Sequence, residues 1–225
     1  GSNGQDGDLI LDGLESSVEV QVPPSGVLHY QNISIPEGVT LTFKGNAENT
    51  AVVLLAAGDV VIDGSIDVSG GEGTDVSDTY LYVNSQPGVA GPGGFSGGMG
   101  TDSGTGGQAG LGPGGGSPSI NQSYGYYSSS LTQKFGGFSV PPYGDTSWIN
   151  LVGGTGRPTG NHYKDKGGGG GGSITIASSG ALTVNGDITA NSYYERGSAG
   201  KIRLIAETIT GDGMLYADFD TDGLI

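Results

Sequence analysis

The octapeptide DFDTDGLI at residues 218–225 carries the densest candidate chemistry in the sequence. Asp218, Asp220 and Asp222 alternate along it, so their carboxylates can converge on one hard cation. Gly223 supplies a sharp turn and Ile225 an apolar anchor. This matches the opening of a Ca²⁺ loop of the form D-x-D-x-D-G-x-I. The bidentate carboxylate expected at the twelfth position lies outside the sequence, so the loop is incomplete. Structural Ca²⁺ is the candidate cofactor, and the alternative is a solvated acidic tail. Asp6 with Asp8, and Asp75 with Asp78, are looser acidic pairs that ordinary turn chemistry explains equally well.

Catalytic constellations are sparse. There is no cysteine, which excludes thiolate catalysis, disulfides and Cys-ligated zinc. Only His29 and His162 could serve a hydrolase triad, and no G-x-S-x-G elbow accompanies them. Arg157, His162, Lys164 and Lys166 could supply the base of a lyase, or could form a solvated basic turn. Asp63, Asp67 and Asp187 could be assembled into a glycosidase pair, or could be outward carboxylates that protect an edge. The expectation is that the protein is not an enzyme and has no catalytic residues.

The strongest binding signal is aromatic. Eleven of the 17 aromatic residues fall within 71–171, among Ser, Gly and Pro. Tyr and Trp pair an apolar face with a polar tip and suit half-exposed recognition surfaces. Tyr124, Tyr126, Tyr127, Tyr143, Trp148 and Tyr163 are the expected ligand-binding residues, with Trp148 and the Tyr126–Tyr127 pair as anchors.

Charge separates this region from the rest. The chain has a net charge of −15, but 71–171 holds six acidic and four basic residues. The remainder is therefore strongly acidic, which argues against nucleic acid and anionic membranes as partners. No apolar run is long enough to span a bilayer.

The elements that must position these residues read as strands. Residues 8–70 contain DLILDG, SVEVQV, NISIPEGVTLTFKG and AVVLLAAGDVVIDGSIDVSGG, and 172–217 is equally rich in Val, Ile, Leu and Thr. VVIDGSIDVSG (60–70), LTVNGDITAN (182–191) and ITGDGMLYAD (209–218) share one shape. Each follows another short strand, AVVLL, SITIA and KIRLIA respectively. Ser173 to Lys201 spans 28 residues and Gly186 to Gly213 spans 27. A unit of that length with two or three short strands is one coil of a parallel β-helix. Period-two alternation places Val60, Ile62, Ile66 and Val68 inside and Asp59, Asp63 and Asp67 outside. The rival is a β-sandwich with hairpins at Asp63-Gly64 and Asn185-Gly186.

Residues 71–171 interrupt this pattern, and 32 of the 48 glycines lie within 70–172. Six are consecutive, 167–172, despite the entropy that glycine loses on ordering. Such a run can form an extended three-fold helix pressed against other backbones, with GPGG and GGG segments as neighbours. Otherwise it is a flexible linker. The expected fold is all-β: a short parallel β-helix with a large glycine-rich, aromatic insertion containing polyglycine II-like segments. It is read as one domain, with first coils at 8–70, an inserted cap at 71–171, closing coils at 172–217 and an acidic linker at 218–225.

IDGSIDVSGG followed by GGGGGGSITI resembles the glycine-rich β-helix modules of large exported bacterial surface proteins, over residues 8–217. The resemblance implies a right-handed β-helix, a secreted or cell-surface location and an adhesive or architectural role. The insert also resembles the tail-tip adhesins of T-even-like phages, in which packed polyglycine helices carry binding loops. Neither family supplies catalytic residues. The resulting expectation is a monomeric module of a larger adhesin that recognises glycan or protein on a target cell surface. A carbohydrate-active β-helix enzyme and a structural spacer are the alternatives.

Overall fold

A computed structural model describes residues 1–73, 86–98, 110–112, 153–154, 167–192 and 197–218, and the fold is that of these residues. Short strands recur along the chain: β1 (Leu9–Ile10), β2 (Ser17–Gln21), β3 (Val27–Tyr30), β4 (Ile33–Ile35), β5 (Thr40–Lys44), β6 (Val52–Ala56), β7 (Val60–Ile62) and β8 (Ser65–Asp67). After the insert come β9 (Ser173–Ser178), β10 (Ala181–Val184), β11 (Ile188–Thr189), β12 (Lys201–Ile205), β13 (Thr208–Thr210) and β14 (Leu215–Tyr216). They stack as three sheets, β1-β4-β7-β10-β13, β2-β5-β8-β11-β14 and β3-β6-β9-β12. Every ladder is parallel. The protein is a β-helix of about five turns, and the sandwich is excluded because hairpins require antiparallel pairs.

The expected repeat is the observed register. Ser173 pairs with Lys201 and Leu182 with Ile209, the 28- and 27-residue offsets of the sequence. Residues on either side of the insert are neighbours, since Val52 pairs with Ile174, Val60 with Leu182 and Ile66 with Ile188. The chain thus leaves the β-helix after β8 and re-enters it at β9, one coil further on. VLHY (27–30), absent from the expected strands, forms β3.

Alternation builds the core as columns. Val60, Ile62, Ile66 and Val68 are buried, Asp59 and Asp63 are exposed and Asp67 is half-buried. One column runs Val18, Leu41, Ile66, Ile188, Leu215, and its three middle members are fully buried. Strands about 4.8 Å apart place each side chain on the one a coil earlier.

The corners are tied by side chains that act between coils. Asp8 Oδ1 accepts from Asn32 N–H at 3.0 Å, Asn32 Oδ1 from Asp59 N–H at 3.1 Å, and Asp59 Oδ1 from Ala181 N–H at 2.8 Å. Ser69 Oγ accepts from Asn191 N–H at 3.1 Å, and Asn191 Oδ1 from Asp218 N–H at 3.0 Å. Each short polar side chain satisfies a backbone donor that the turn leaves without a ladder partner.

Tyr30, on β3, is buried, and burial first and the Asp6 carboxylate second push its phenol above the ordinary value of 10.0. The folded chain therefore keeps this proton to higher pH than the unfolded chain does. The associated stability is complete below the unfolded-state value and is lost as pH rises through the folded-state value. Melting curves between about pH 8 and pH 11 should show an alkaline fall that Tyr30→Phe removes in part. An identical fall in parent and variant would assign it to other groups.

Candidate functional site: a glycine clamp and its cleft

The six-glycine run is buried along its whole length. Its hydrogen bonds follow a period of three. The N–H groups of Gly167, Gly170 and Ser173 donate to the carbonyls of Gly98, Phe95 and Pro92 at 3.2, 3.0 and 2.8 Å. Those of Gly169 and Gly172 donate to Gly71 and Val68 at 3.2 and 2.7 Å, and that of Gly171 to Ser198 at 3.0 Å. In return, Gly88 and Gly91 donate to the carbonyls of Gly167 and Gly170 at 2.8 and 3.1 Å, and Gly154 to that of Gly171 at 2.7 Å.

A three-residue period is the repeat of an extended three-fold helix, whose successive N–H groups point about 120° apart. One strand can therefore pair with several neighbours around it, as these donors do. A side chain at Gly169, Gly171 or Gly172 has no room. A Cβ on Gly171 would run into the Ala190 carbonyl oxygen and sit 2.5 Å from Gly200 N, and one on Gly169 would sit 2.6 Å from the Val89 carbonyl carbon. The linker reading of this run is thus overturned. Main-chain hydrogen bonds on several sides offset the ordering entropy of glycine.

The clamp joins the insert to the coils, and a cleft of about 410 Å³ lies where it meets the loop after β5. Lys44, at the end of β5, and Asn46 and Asn49 of the loop line it from one side, and Val89, Phe95 and Leu111 from the insert. Asn49 adopts φ 50°, and its Nδ2 donates to the Gly94 carbonyl at 2.7 Å. Asn46 Nδ2 donates to the Pro23 carbonyl and Thr50 Oγ1, both at 2.6 Å, and its Oδ1 accepts from Thr50 N–H at 3.1 Å. Phe95 is half-buried with its backbone fixed on both sides: its N–H donates to the Gly154 carbonyl at 2.9 Å and its carbonyl accepts from Gly170. Val89 and Leu111 are 70% and 57% exposed. The cleft thus has an apolar wall held by the clamp and a polar wall held by the coil.

The residues expected from sequence fall differently. Tyr124, Tyr126, Tyr127, Tyr143, Trp148 and Tyr163 lie outside the described residues, as do Asp75, Asp78, Arg157, His162, Lys164 and Lys166. Of the Ca²⁺ loop only Asp218 is described; its N–H donates to Asn191 Oδ1 and its carbonyl accepts from Ser192 N–H at 3.0 Å, which continues the coil. Asp220 and Asp222 are outside. No group of three His, Asp or Glu residues able to hold a metal occurs among the described residues. Asp6 Oδ2 accepts from His29 N–H at 2.6 Å, and Asp8 is tied to Asn32. Asp63 Oδ1 accepts from Asn185 Nδ2 at 2.7 Å, and Asp67 Oδ1 from Thr189 Oγ1 and Ser69 N–H, both at 2.8 Å. Two of the three aspartates considered for glycoside hydrolysis therefore brace coils.

The cleft residues were not singled out from sequence. The available signals were Lys44, the only Lys or Arg in the first 133 residues, and Phe95, placed directly after GPGG.

The fold and site define a three-sheet parallel β-helix that carries an insertion clamped by glycine main chain. No family model, curated protein or solved structure matches the chain.

Proposed function

We propose that the protein is a ligand-binding module of an exported bacterial cell-surface adhesin, with the β-helix as mount and the glycine-rich insert as the recognition element for glycan or surface protein. One observation carries this reading: main-chain bonds on several sides fasten the described segments of the insert to the coils. A rigid mount lowers the ordering cost that a recognition surface bears on binding. Exposed Val89 and Leu111 and half-exposed Phe95 then sit at a cleft edge where an apolar face meets polar groups. The aromatic residues Tyr126, Tyr127 and Trp148 belong to the same insert.

A glycan-array and whole-cell binding screen tests the proposal. The parent is expected to bind at least one surface ligand. Phe95→Ala, Tyr127→Ala and Trp148→Ala are each expected to keep the parent's circular dichroism, and at least one should weaken binding by about 2 kcal/mol, as hot-spot truncations do. Unchanged binding in all three would move the site elsewhere. A parent that cleaves a polysaccharide without retaining it would replace this reading with the enzyme.

A further inference from the structure

Resting on the reading that the insert face binds a surface ligand, we infer that the cleft between the loop after β5 and the glycine clamp takes an acidic saccharide unit. Its carboxylate would sit against Lys44, and the C–H face of its ring on Phe95.

Charge gives the first argument. The chain carries 23 Asp and Glu residues against eight Lys and Arg, yet among the described residues that line the cleft the charged side chain is Lys44. The described lining is thus cationic in a chain that is acidic, with Glu48 in the same loop but not among the lining residues. Lys44 is exposed, and its ammonium makes no hydrogen bond or ion pair among the described residues. At physiological ionic strength, charges more than about 8 Å apart are largely screened. An anion seated against Lys44 meets that cation at contact, whereas carboxylates beyond this distance act on it weakly.

Committed hydrogen bonds give the second. A neutral sugar is usually gripped by amide side chains that meet its hydroxyls. Here both donors of Asn46 Nδ2 are spent on Pro23 and Thr50, and one of the two on Asn49 Nδ2 is spent on Gly94. The uncommitted side-chain donors of the described lining are the Lys44 ammonium, the Ser96 hydroxyl and one N–H of Asn49; Lys44 alone is charged, so an anionic group gains most. A purely apolar ligand would desolvate Lys44 with nothing in return, and a cationic one would meet it as a like charge.

Shape gives the third. The volume is that of a small-ligand site. Phe95 is pinned through both its N–H and its carbonyl, so its ring is offered from a fixed backbone. Sugar rings present C–H faces that lie on such a ring, whereas a short acidic peptide offers charge without that face.

The test is calorimetric titration of the full chain, in about 0.15 M salt, with a galacturonic acid trimer, the neutral galactose trimer and triglutamate. The acidic trimer is expected to bind about tenfold tighter than either of the others. Lys44→Gln should lose about that factor for the acidic trimer and nothing for the neutral one, while Phe95→Ala should weaken both sugars. Equal affinity for the two sugars, or no effect of Lys44→Gln, would overturn the acidic class and leave the binding-module reading standing. Triglutamate binding as tightly as the acidic trimer would overturn the saccharide. Failure of every probe would overturn the inference outright, and the whole-cell screen then decides the module reading independently.

Discussion

Gly171→Ala is expected to lower the unfolding free energy by about 3 kcal/mol and the thermal midpoint by roughly 6–12 °C. The added methyl meets main-chain atoms of Ala190 and Gly200, which lie directly after β11 and directly before β12. Backbone atoms held in ladders cannot step aside as the end of a flexible side chain can. The substitution must therefore push the glycine run away and break the bonds from Gly171 N–H to Ser198 and from Gly154 N–H to Gly171. Gly45→Ala is the matched control. It sits at the cleft, has no positive φ and has nothing within 4 Å of an added Cβ. Its effect should stay within about 0.5 kcal/mol, and on the stabilising side if anything. Calorimetric melts of the three proteins decide the matter; equal midpoints for Gly171→Ala and parent would sink the clamp as a source of stability.

Ile66→Ala is expected to cost about 4 kcal/mol. Ile66 is fully buried between Leu41 and Ile188 in its column. Parallel ladders hold the coils at a set spacing, so the cavity left by truncation cannot close by moving one coil toward the next. The position also lies at the joint where β8 meets β11 across 122 residues of sequence. In a stack where each coil touches only its neighbours, a weak layer there separates the two halves. Val18→Ala in the same column is half-buried and should cost closer to 1 kcal/mol. Urea unfolding followed by circular dichroism measures both, and a loss below about 1.5 kcal/mol for Ile66→Ala would mean that the layer relaxes.

The β-helix was legible in the sequence because its physics is local and periodic. Val60, Ile62 and Ile66 alternate with outward residues, and the 28- and 27-residue offsets survive intact as Ser173↔Lys201 and Leu182↔Ile209. β3 escaped because the pattern is blurred at VLHY, where Val27 shares the outward face with His29 while Leu28 and Tyr30 point inward. The coil braces escaped for another reason. Asp59 reads alone as a solubilising carboxylate, and its acceptor role exists only once Ala181, 122 residues away, is stacked on it. The cleft was less legible still. Lys44, Asn49, Phe95 and Leu111 come from distant segments brought together partly by main-chain hydrogen bonds, which carry no side-chain signature.

The period-three clamp has a consequence for how such a protein can vary. Its contacts run from main chain to main chain, and its demand on sequence is that certain positions lack a side chain. A fastening of that kind is indifferent to the identity of whatever lies between its glycines. The bonds of Gly98, Gly154 and Gly167 are made by main-chain atoms, so none of them specifies a side chain. The β-helix then serves as a socket, and the glycines as a thread cut to one pitch into which differently shaped heads can be screwed.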